Sequence, residues 1–191
     1  MPVRMSGDDR LRWNEKYTLG EHASPEPSRL LTDLEAFLPN SGRAIDLGGG
    51  AGRHTIWLAR RGLDTCVADV SDVALQLAEA RATEAGVSIA TQHIDIEADP
   101  FPAGPWDVIL SVHFLWRPLF DLFPVVLSPG GTLVCIHPTR TNLQRHPKPS
   151  LRHLLEDGEL PRLVKDLEVV HYEEGWLAEG RHEAIIVART A

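Results

Sequence analysis

Cysteine is scarce in this sequence, with two residues in a chain of 191. Cys66 and Cys135 both lie in apolar, strand-like runs, where cysteine acts as a small hydrophobic residue, so we expect both in the core. No apolar run approaches the roughly 18 to 20 residues of a membrane span. The polar segment 1–12 lacks the apolar core of a signal peptide. The sequence therefore predicts a cytoplasmic protein without a membrane partner.

Basic residues are also fewer than acidic ones, with 19 Lys and Arg against 27 Asp and Glu, which gives a net charge of −8. No long basic block is present, which argues against a nucleic-acid partner and favours a small-molecule substrate. The nine histidines show no His-x-x-x-His spacing, so we predict no metal site. The length is that of about one domain. We expect a single domain over residues 1–191, with residues 1–24 as an N-terminal arm.

Strand-like and helix-like segments alternate from residue 43 onward, which predicts a doubly wound α/β fold with helices on both faces of a mostly parallel sheet. A final pair of strands is expected to form an antiparallel hairpin. Before the alternation, we expect one helix over residues 8–17 and another from Pro27 to Pro39. The predicted strands are 44–47, 65–68, 88–94, 106–112, 131–137, 168–172 and 183–188, and the predicted helices between them are 53–62, 71–85, 118–127 and 159–166.

A glycine-rich turn follows the first of these strands, in the run Asp46-Leu47-Gly48-Gly49-Gly50-Ala51-Gly52-Arg53-His54. Glycine permits positive φ and a close approach of the backbone to a ligand, so the run indicates a nucleotide-type turn. The dinucleotide fingerprint requires a small residue where Arg53 stands. Arg53 therefore argues against the hypothesis that the chain is an NAD(P)-linked oxidoreductase.

Acidic residues stand at the ends of three predicted strands, at positions 46, 69 and 95. In an open parallel sheet, ligands bind beyond the carboxyl ends of the strands. Asp69 follows Gly48 by 21 residues, where a carboxylate can accept both ribose hydroxyls of a nucleotide. The alternative is that Asp69 only stabilises the start of the next helix, because Ser71 follows it.

The turn resembles motif I of the class I S-adenosylmethionine (SAM) methyltransferases, in which an acidic residue stands two positions before a Gly-x-Gly-x-Gly run. This resemblance implies SAM as cofactor, S-adenosylhomocysteine as product, and a seven-stranded sheet with three αβα layers. It also implies that Asp46 lies near the methionine ammonium and Asp95 near the adenine amino group, with Val70 and Ile96 as apolar walls.

The run 106–115 resembles a further motif of the same family. The resemblance implies that the backbone of Ser111 and Val112 borders the methionine part of SAM and that His113 faces the methyl group. Trp13 and Tyr17 share a helical face, which either docks the arm onto the domain or closes it over the cofactor as a lid. The full candidate cofactor set is Trp13, Tyr17, Asp46, Leu47, Gly48, Gly49, Gly50, Gly52, Asp69, Val70, Asp95, Ile96, Ser111 and Val112.

Within this class, the runs 13–17, 113–118 and 167–175 look like the TehB-like branch, which is similar to the thiopurine methyltransferases. That resemblance implies a small, soft acceptor such as a thiolate or a chalcogen oxyanion. The Asn/Asp-Pro-Pro-Tyr/Phe motif of amino-group methyltransferases is absent. The run 136–139 also departs from the branch, whose members often carry an acidic residue and an aromatic residue there, so the acceptor stays open.

A soft anion needs no general base, so we expect alignment for in-line displacement, exclusion of water and cationic residues that hold the acceptor. His113 and Arg117 are the predicted catalytic residues, although Arg117 could equally cap a helix or pair with a surface acid. The remaining alternative is a SAM-binding module that has no activity of its own. Further cationic candidates are His137, Arg140, Arg181 and His182.

Overall fold

The computed structural model describes residues 7–21 and 24–191. Its seven strands form one sheet in the order β3-β2-β1-β4-β5-β7-β6. The pairs β1–β2, β2–β3 and β4–β5 are parallel, whereas β7 pairs antiparallel with β5 and β6. The predicted α/β fold, a mostly parallel sheet with a terminal antiparallel hairpin, is confirmed. The strands are β1 (Arg43–Leu47), β2 (Asp64–Asp69), β3 (Ala90–His93), β4 (Trp106–Val112), β5 (Leu127–Pro138), β6 (Glu168–Trp176) and β7 (His182–Arg189).

Three of the helices reach at least two turns, and these agree with the predictions to within two residues at each end. The other predicted helices are shorter than expected. Prolines explain part of this, because Pro118, Pro124 and Pro161 each stand in the first turn of a short segment, the position where a helix tolerates a missing N–H. The helices are α1 (Gly7–Thr18), α2 (Arg29–Thr32), α3 (Arg53–Arg60), α4 (Asp72–Glu84), α5 (Phe123–Val126) and α6 (Leu160–Leu163), with 3₁₀ turns at Glu35–Phe37, Arg117–Asp121, Arg140–Gln144 and Leu151–His153.

Strand β5 begins earlier than predicted, because the run Pro129-Gly130-Gly131 lies inside it and not before it. The pairing with β4 shifts register here, since Trp106 pairs with Leu127 while Val108 pairs with Thr132. A Cβ on Gly131 would lie 2.9 Å from the Trp106 carbonyl oxygen. The glycine turn is therefore accommodated as an irregularity within a strand.

The chain divides into two compact units, Met1–Ala103 and Gly104–Ala191. The first contains β1–β3 with α1–α4, and the second contains β4–β7 with α5 and α6. Each unit has its own buried apolar residues, and both cysteines are buried and free, in agreement with the prediction that they are core residues. The single domain over residues 1–191 stays a prediction. The predicted arm includes residues 1–6 and 22–23, which lie outside the described residues.

Two further findings concern the described part of the chain only. None of its helices combines the length and the apolar character that crossing a bilayer requires. Over the same residues, no group of three or more His, Cys, Asp and Glu side chains is arranged to hold a metal ion.

Candidate functional site

The glycine turn connects β1 to α3 through three residues in the left-handed region. Gly48, Gly50 and Gly52 have φ values of 62°, 55° and 75°. Residues with a Cβ rarely adopt this conformation, so the path of the turn depends on glycine. The Gly48 N–H also donates to the Ala68 carbonyl at 2.8 Å, which joins the start of the turn to β2.

Neighbouring atoms also leave no space for a side chain at three glycines of the turn. A Cβ on Gly49 would lie 2.6 Å from the Asp46 carboxyl carbon, and one on Gly50 would collide with the Tyr17 hydroxyl. A Cβ on Gly52 would lie 2.8 Å from the Ala78 side chain of α4. The three glycines therefore let a carboxylate, an aromatic hydroxyl and a helix approach the backbone closely.

Asp46 is a buried carboxyl group at the start of the turn, with 1% of its surface exposed. It accepts a hydrogen bond from the Thr55 hydroxyl at 2.9 Å, and Nδ1 of His54 lies 4.0 Å away. Burial and, to a smaller extent, the nearby carboxylate of Asp69 together raise the pKa of Asp46 to about 7, although the hydrogen bond from Thr55 lowers it. The ionised form is therefore costly without a cation nearby.

Asp69 ends β2 and joins the turn to the start of α4. One carboxylate oxygen accepts the Gly50 N–H at 2.9 Å, and the other accepts the Ser71 N–H at 2.8 Å. Burial raises the pKa of Asp69 despite these two hydrogen bonds. The sequence offered ribose binding and helix stabilisation as alternatives, and the second is visible in the Ser71 contact. Each oxygen keeps a further lone pair for a ligand hydroxyl.

Helix α1 docks on the N-terminus of α4 through polar contacts. The Asn14 side chain donates to Asp72 at 2.8 Å and accepts from the Ser71 hydroxyl at 2.7 Å. Arg10 donates to the same Asp72 oxygen at 3.0 Å. The hydrogen bonds from Arg10 and Asn14 hold the pKa of Asp72 below its usual range. Asn14 was not predicted as a site residue, although a polar residue one turn before Tyr17 was a usable signal.

Tyr17 brings the end of α1 to the glycine turn. Burial raises the pKa of its hydroxyl, and the carboxylates of Asp69 and Asp46 raise it further. The Trp13 ring lies 6.2 Å from the Tyr17 ring, and the Lys16 ammonium lies 4.6 Å from the Trp13 ring centroid. The shared helical face predicted for these two aromatic residues therefore reaches the candidate site. Its role as lid or strut stays a prediction.

The predicted adenine-side residues surround the carboxyl end of β3. Ile96 is buried and Asp95 is half-buried, with one Asp95 carboxylate oxygen accepting the Glu97 N–H at 3.0 Å. Val70 is half-buried, and its carbonyl accepts a hydrogen bond from Nε2 of His93 at 3.0 Å. Leu47, at the end of β1, is fully buried. The assignment of these residues to the cofactor stays a prediction.

In the second unit, β4 ends at the predicted methionine-side residues. Ser111 and Val112 are buried, and the Ser111 hydroxyl donates to the Phe114 carbonyl at 2.7 Å. His113 follows with a φ of 59°, the one residue other than glycine with positive φ among those described. Its N–H donates to the Ile136 carbonyl at 2.8 Å. The chain therefore turns sharply at the end of β4.

The His113 side chain forms a pair with Glu183 of β7. Its Nε2 lies 3.1 Å from both carboxylate oxygens. Burial would raise the pKa of Glu183, which is 1% exposed, but the His113 hydrogen bond and the nearby charges of His113 and Arg181 hold it below its usual value. The carboxylate is therefore ionised, and it accepts a hydrogen bond from Nε2 of His113. Glu183 was missed because 70 residues separate the two positions.

His137 is a second buried imidazole in this unit, with its ring centroid 6.5 Å from that of His113. Its Nε2 donates to the His153 carbonyl at 2.8 Å, and its buried Nδ1 has no protein partner in the described residues. Burial lowers the pKa of His137 to about 4, so the ring is neutral near neutral pH. His137 is therefore unsuited to act as the cation that the sequence suggested.

Arg117 is already committed to protein partners. Its guanidinium donates to both Glu159 oxygens, at 2.6 and 2.8 Å, and to the Leu154 carbonyl at 3.0 Å. The hydrogen bonds with Glu159 raise the pKa of Arg117 and help to lower that of Glu159 against the effect of burial. These contacts are the acid pairing that the sequence left open. Acceptor binding by Arg117 stays a prediction.

The remaining cationic candidates also have protein neighbours. Arg140 pairs with Glu156 at 3.1 Å on the surface, and Arg181 lies 3.8 Å from Glu183. Nδ1 of His182 lies 2.8 Å from the Thr139 hydroxyl. The second unit thus brings His113, His137 and Arg181 together around Glu183, whereas Arg117 and Arg140 have their own acidic partners.

The chain is similar to known proteins in both sequence and fold. A family model described as a methyltransferase domain matches residues 44–131. A ubiquinone biosynthesis O-methyltransferase of Roseobacter denitrificans is 27% identical over 191 residues, which span 95% of this chain and 65% of that protein. The chain therefore spans about two-thirds of the length of this relative.

Solved structures with the same fold extend the comparison. TehB of Haemophilus influenzae has a TM-score of 0.73 and 21% identity, covering 93% of this chain and 67% of that chain. The (4+2)-cyclase SpnF has a TM-score of 0.68 and 19% identity, covering 84% of this chain and 79% of that chain. Identities this low show the fold alone. Together with the family match, these findings confirm the predicted resemblance to class I SAM-dependent methyltransferases, the TehB-like fold and SAM as the cofactor of this class.

Proposed function

We propose that this chain, which has the fold and the domain match of a class I methyltransferase, transfers a methyl group from SAM to a small acceptor. The observation that carries this proposal is the pair of buried carboxyl groups, Asp46 and Asp69, behind the glycine turn. SAM has a positive sulfonium and a positive ammonium, which suit such a site. A pyrophosphate would meet two buried acids instead, and the Gly50 N–H that could bind it already donates to Asp69.

The residues of the first unit fit SAM in detail. Asp46 would accept from the ammonium of the cofactor, and the cation would offset the cost of ionising a buried carboxyl group. Asp69 would use its remaining lone pairs for the ribose hydroxyls. Val70, Asp95 and Ile96 would surround the adenine, while Trp13 and Tyr17 would cover the turn.

The chemistry requires few groups from the protein. When bound, SAM supplies an electrophilic methyl group on a sulfonium. The chain would hold the acceptor in line with that methyl group and keep water away. By resemblance, Ser111 and Val112 would border the methionine part and His113 would face the acceptor.

The class of acceptor is the finer part of the proposal. The resemblance to the TehB-like branch favours an anionic or soft nucleophile of sulfur, selenium or tellurium, which would attack the methyl carbon without the help of a base. The name of the Roseobacter relative instead suggests an oxygen nucleophile. Both acceptors fit displacement in line with the carbon–sulfur bond.

A second candidate function is a SAM-binding protein without methyl transfer. The fold likeness to SpnF favours it, because SpnF is described as a cyclase. A fold alone does not decide between such activities. An oxidoreductase is the weakest candidate, because Arg53 stands where the dinucleotide fingerprint requires a small residue and the buried Asp46 disfavours a pyrophosphate.

An acceptor screen tests the proposal. Purified protein and SAM would be incubated with thiols, phenols, amines, selenite and tellurite, and formation of S-adenosylhomocysteine would be measured. We expect turnover with at least one class, abolished by Gly50→Val, since a β-branched side chain is strained at positive φ and meets Tyr17. Gly86→Val is the matched control, because Gly86 has a φ of 69° and no atom near its Cβ position. SAM binding without turnover on any acceptor would favour the non-catalytic candidate.

A further inference from the structure

The pair formed by His113 and Glu183 has the geometry of a general base and the group that orients it. Glu183 accepts from Nε2 of His113, which leaves Nδ1 as the unprotonated nitrogen of the neutral ring. No described residue bonds to this Nδ1. The His113 side chain is 30% exposed while that of Glu183 is 1% exposed. One nitrogen is therefore fixed from within the protein and the other is accessible to a small molecule.

The backbone at His113 supports a role beyond packing. A left-handed conformation is strained for a residue other than glycine and persists only where the surroundings impose it. Here the N–H bond to Ile136 and the side-chain pair with Glu183 impose it from β5 and β7. Two strands thus hold one imidazole in a single orientation.

A cavity lies against the terminal hairpin, and Glu183, the partner of His113, is part of its lining. It has a volume of about 330 Å³ and is lined by Trp176, Leu177, Glu183 and Ile185, together with Glu173 and Glu174. Glu183 and Ile185 are two apart on β7, so both side chains lie on one face of the sheet. The volume is at the lower end of small-molecule sites. Glu173 pairs with Ile185 and so lies on the same face as Glu183, and these two carboxylates disfavour an oxyanion such as tellurite or selenite.

We propose that the acceptor is a neutral molecule with a proton-bearing nucleophile, a hydroxyl or a thiol, and that His113, oriented by Glu183, removes its proton. This inference rests on the proposed function. His113 is then a catalytic residue as a base, and Glu183 is a positioning residue that acts through it.

The step balances without any further reactant. The proton of the acceptor hydroxyl or thiol goes to Nδ1 of His113, and the resulting imidazolium faces the Glu183 carboxylate. The acceptor oxygen or sulfur forms a bond to the methyl carbon. The carbon–sulfur bond of the sulfonium breaks with its electron pair on sulfur, which leaves S-adenosylhomocysteine and the methyl ether or thioether. The other charged or titratable groups around His113 are His137 from β5, Arg181 beside β7, and Arg117.

The kinetic test compares two phenols that differ in acidity. Catechol is mainly neutral in neutral solution, whereas 4-nitrophenol ionises readily and can react as a phenolate without a base. We expect His113→Asn to lower kcat/KM for catechol by about 10²- to 10⁴-fold, the usual contribution of a general base. Its effect on 4-nitrophenolate should be less than about tenfold. Asparagine is chosen because it tolerates the left-handed backbone. Mercaptoethanol and selenite complete the panel.

Glu183→Gln keeps the shape of the orienting residue and should lower catechol turnover with little effect on the nitrophenolate. His171→Asn and Glu168→Gln on β6 are the matched controls, and both should retain turnover. Calorimetry should give unchanged SAM affinity for all four variants. A spectroscopic measurement needs no turnover. 4-Nitrophenol is bound to the protein loaded with S-adenosylhomocysteine at a pH slightly below neutral, and its absorbance is recorded. The bound molecule should absorb as phenolate in the wild type and as neutral phenol in His113→Asn.

Equal loss on both phenols in His113→Asn, with no change in the absorbance of the bound phenol, would overturn the base assignment. Turnover of selenite by the wild type, without turnover of any phenol or thiol, would overturn the acceptor class. Failure of SAM to bind the wild-type protein is a different result, which would reject the proposed function itself.

Discussion

Replacing Asp46 by Asn should change how the stability of the ligand-free protein depends on pH. Burial raises the pKa of Asp46 from 3.8 to about 7. A carboxyl group with a raised pKa contributes most stability while protonated, below pH 3.8, and this contribution is lost as pH rises through about 7. The difference of about 3 in pKa corresponds to at most about 4 kcal/mol, at 1.36 kcal/mol for each pKa unit. Asparagine keeps an acceptor for the Thr55 hydroxyl but does not ionise.

Urea unfolding at a series of pH values measures this effect. The free energy of unfolding of Asp46→Asn, minus that of the wild type, should become more positive between about pH 4 and pH 7 by up to about 4 kcal/mol. Asp33→Asn, an exposed aspartate on the same unit, is the control for the substitution itself. Calorimetry should show the opposite trend for the ligand, with the variant binding SAM more weakly above pH 7. Parallel stability curves, separated by a constant gap at all pH values, would refute the reasoning.

Three further predictions concern contacts in the two units. Asp69→Asn should lower the free energy of unfolding, measured in urea, by about 1.5 to 3 kcal/mol, because the amide NH₂ would face one of the two N–H donors. The same variant should bind SAM about ten- to a hundredfold more weakly, as measured by calorimetry. Asn14→Ala should lower the melting temperature in either role of α1, but only a lid would also raise the SAM dissociation constant. Arg117→Lys should lower the melting temperature, because lysine cannot form the bidentate contact with Glu159. It should change kcat/KM for the acceptor by less than about threefold. A large loss in kcat/KM at an unchanged melting temperature would instead support the predicted acceptor role of Arg117.

Local sequence signals located most of the first unit. Glycine spacing, a strand before the turn and an acid after the next strand are short-range features, and each depends on backbone geometry that neighbouring residues determine. The same signals could not show that the Asp69 carboxylate binds two backbone N–H groups, because both ribose binding and loop closure need an acid at that position. The Ser71 hydroxyl accepts the Ala74 N–H at 3.0 Å, and a serine at the first residue of the predicted helix 71–85 is a local signal of the same kind.

Long-range pairing explains what the sequence did not indicate. His113 and Glu183 meet only because β7 inserts next to β5, and Glu183 looked like an ordinary residue of the last strand. The sequence left open whether Arg117 holds the acceptor or pairs with an acid, because its partner Glu159 is 42 residues away along the chain. The single helix predicted over residues 118–127 is a 3₁₀ turn followed by a short helix, because Pro118 and Pro124 each favour the start of a new segment.

Calorimetric titration of the wild-type protein with SAM, S-adenosylhomocysteine and NAD, under the same conditions, tests the central claim most directly. The buried acids behind the glycine turn predict binding of SAM and S-adenosylhomocysteine, and no binding of NAD at comparable concentrations. Binding of NAD without binding of SAM would contradict the account.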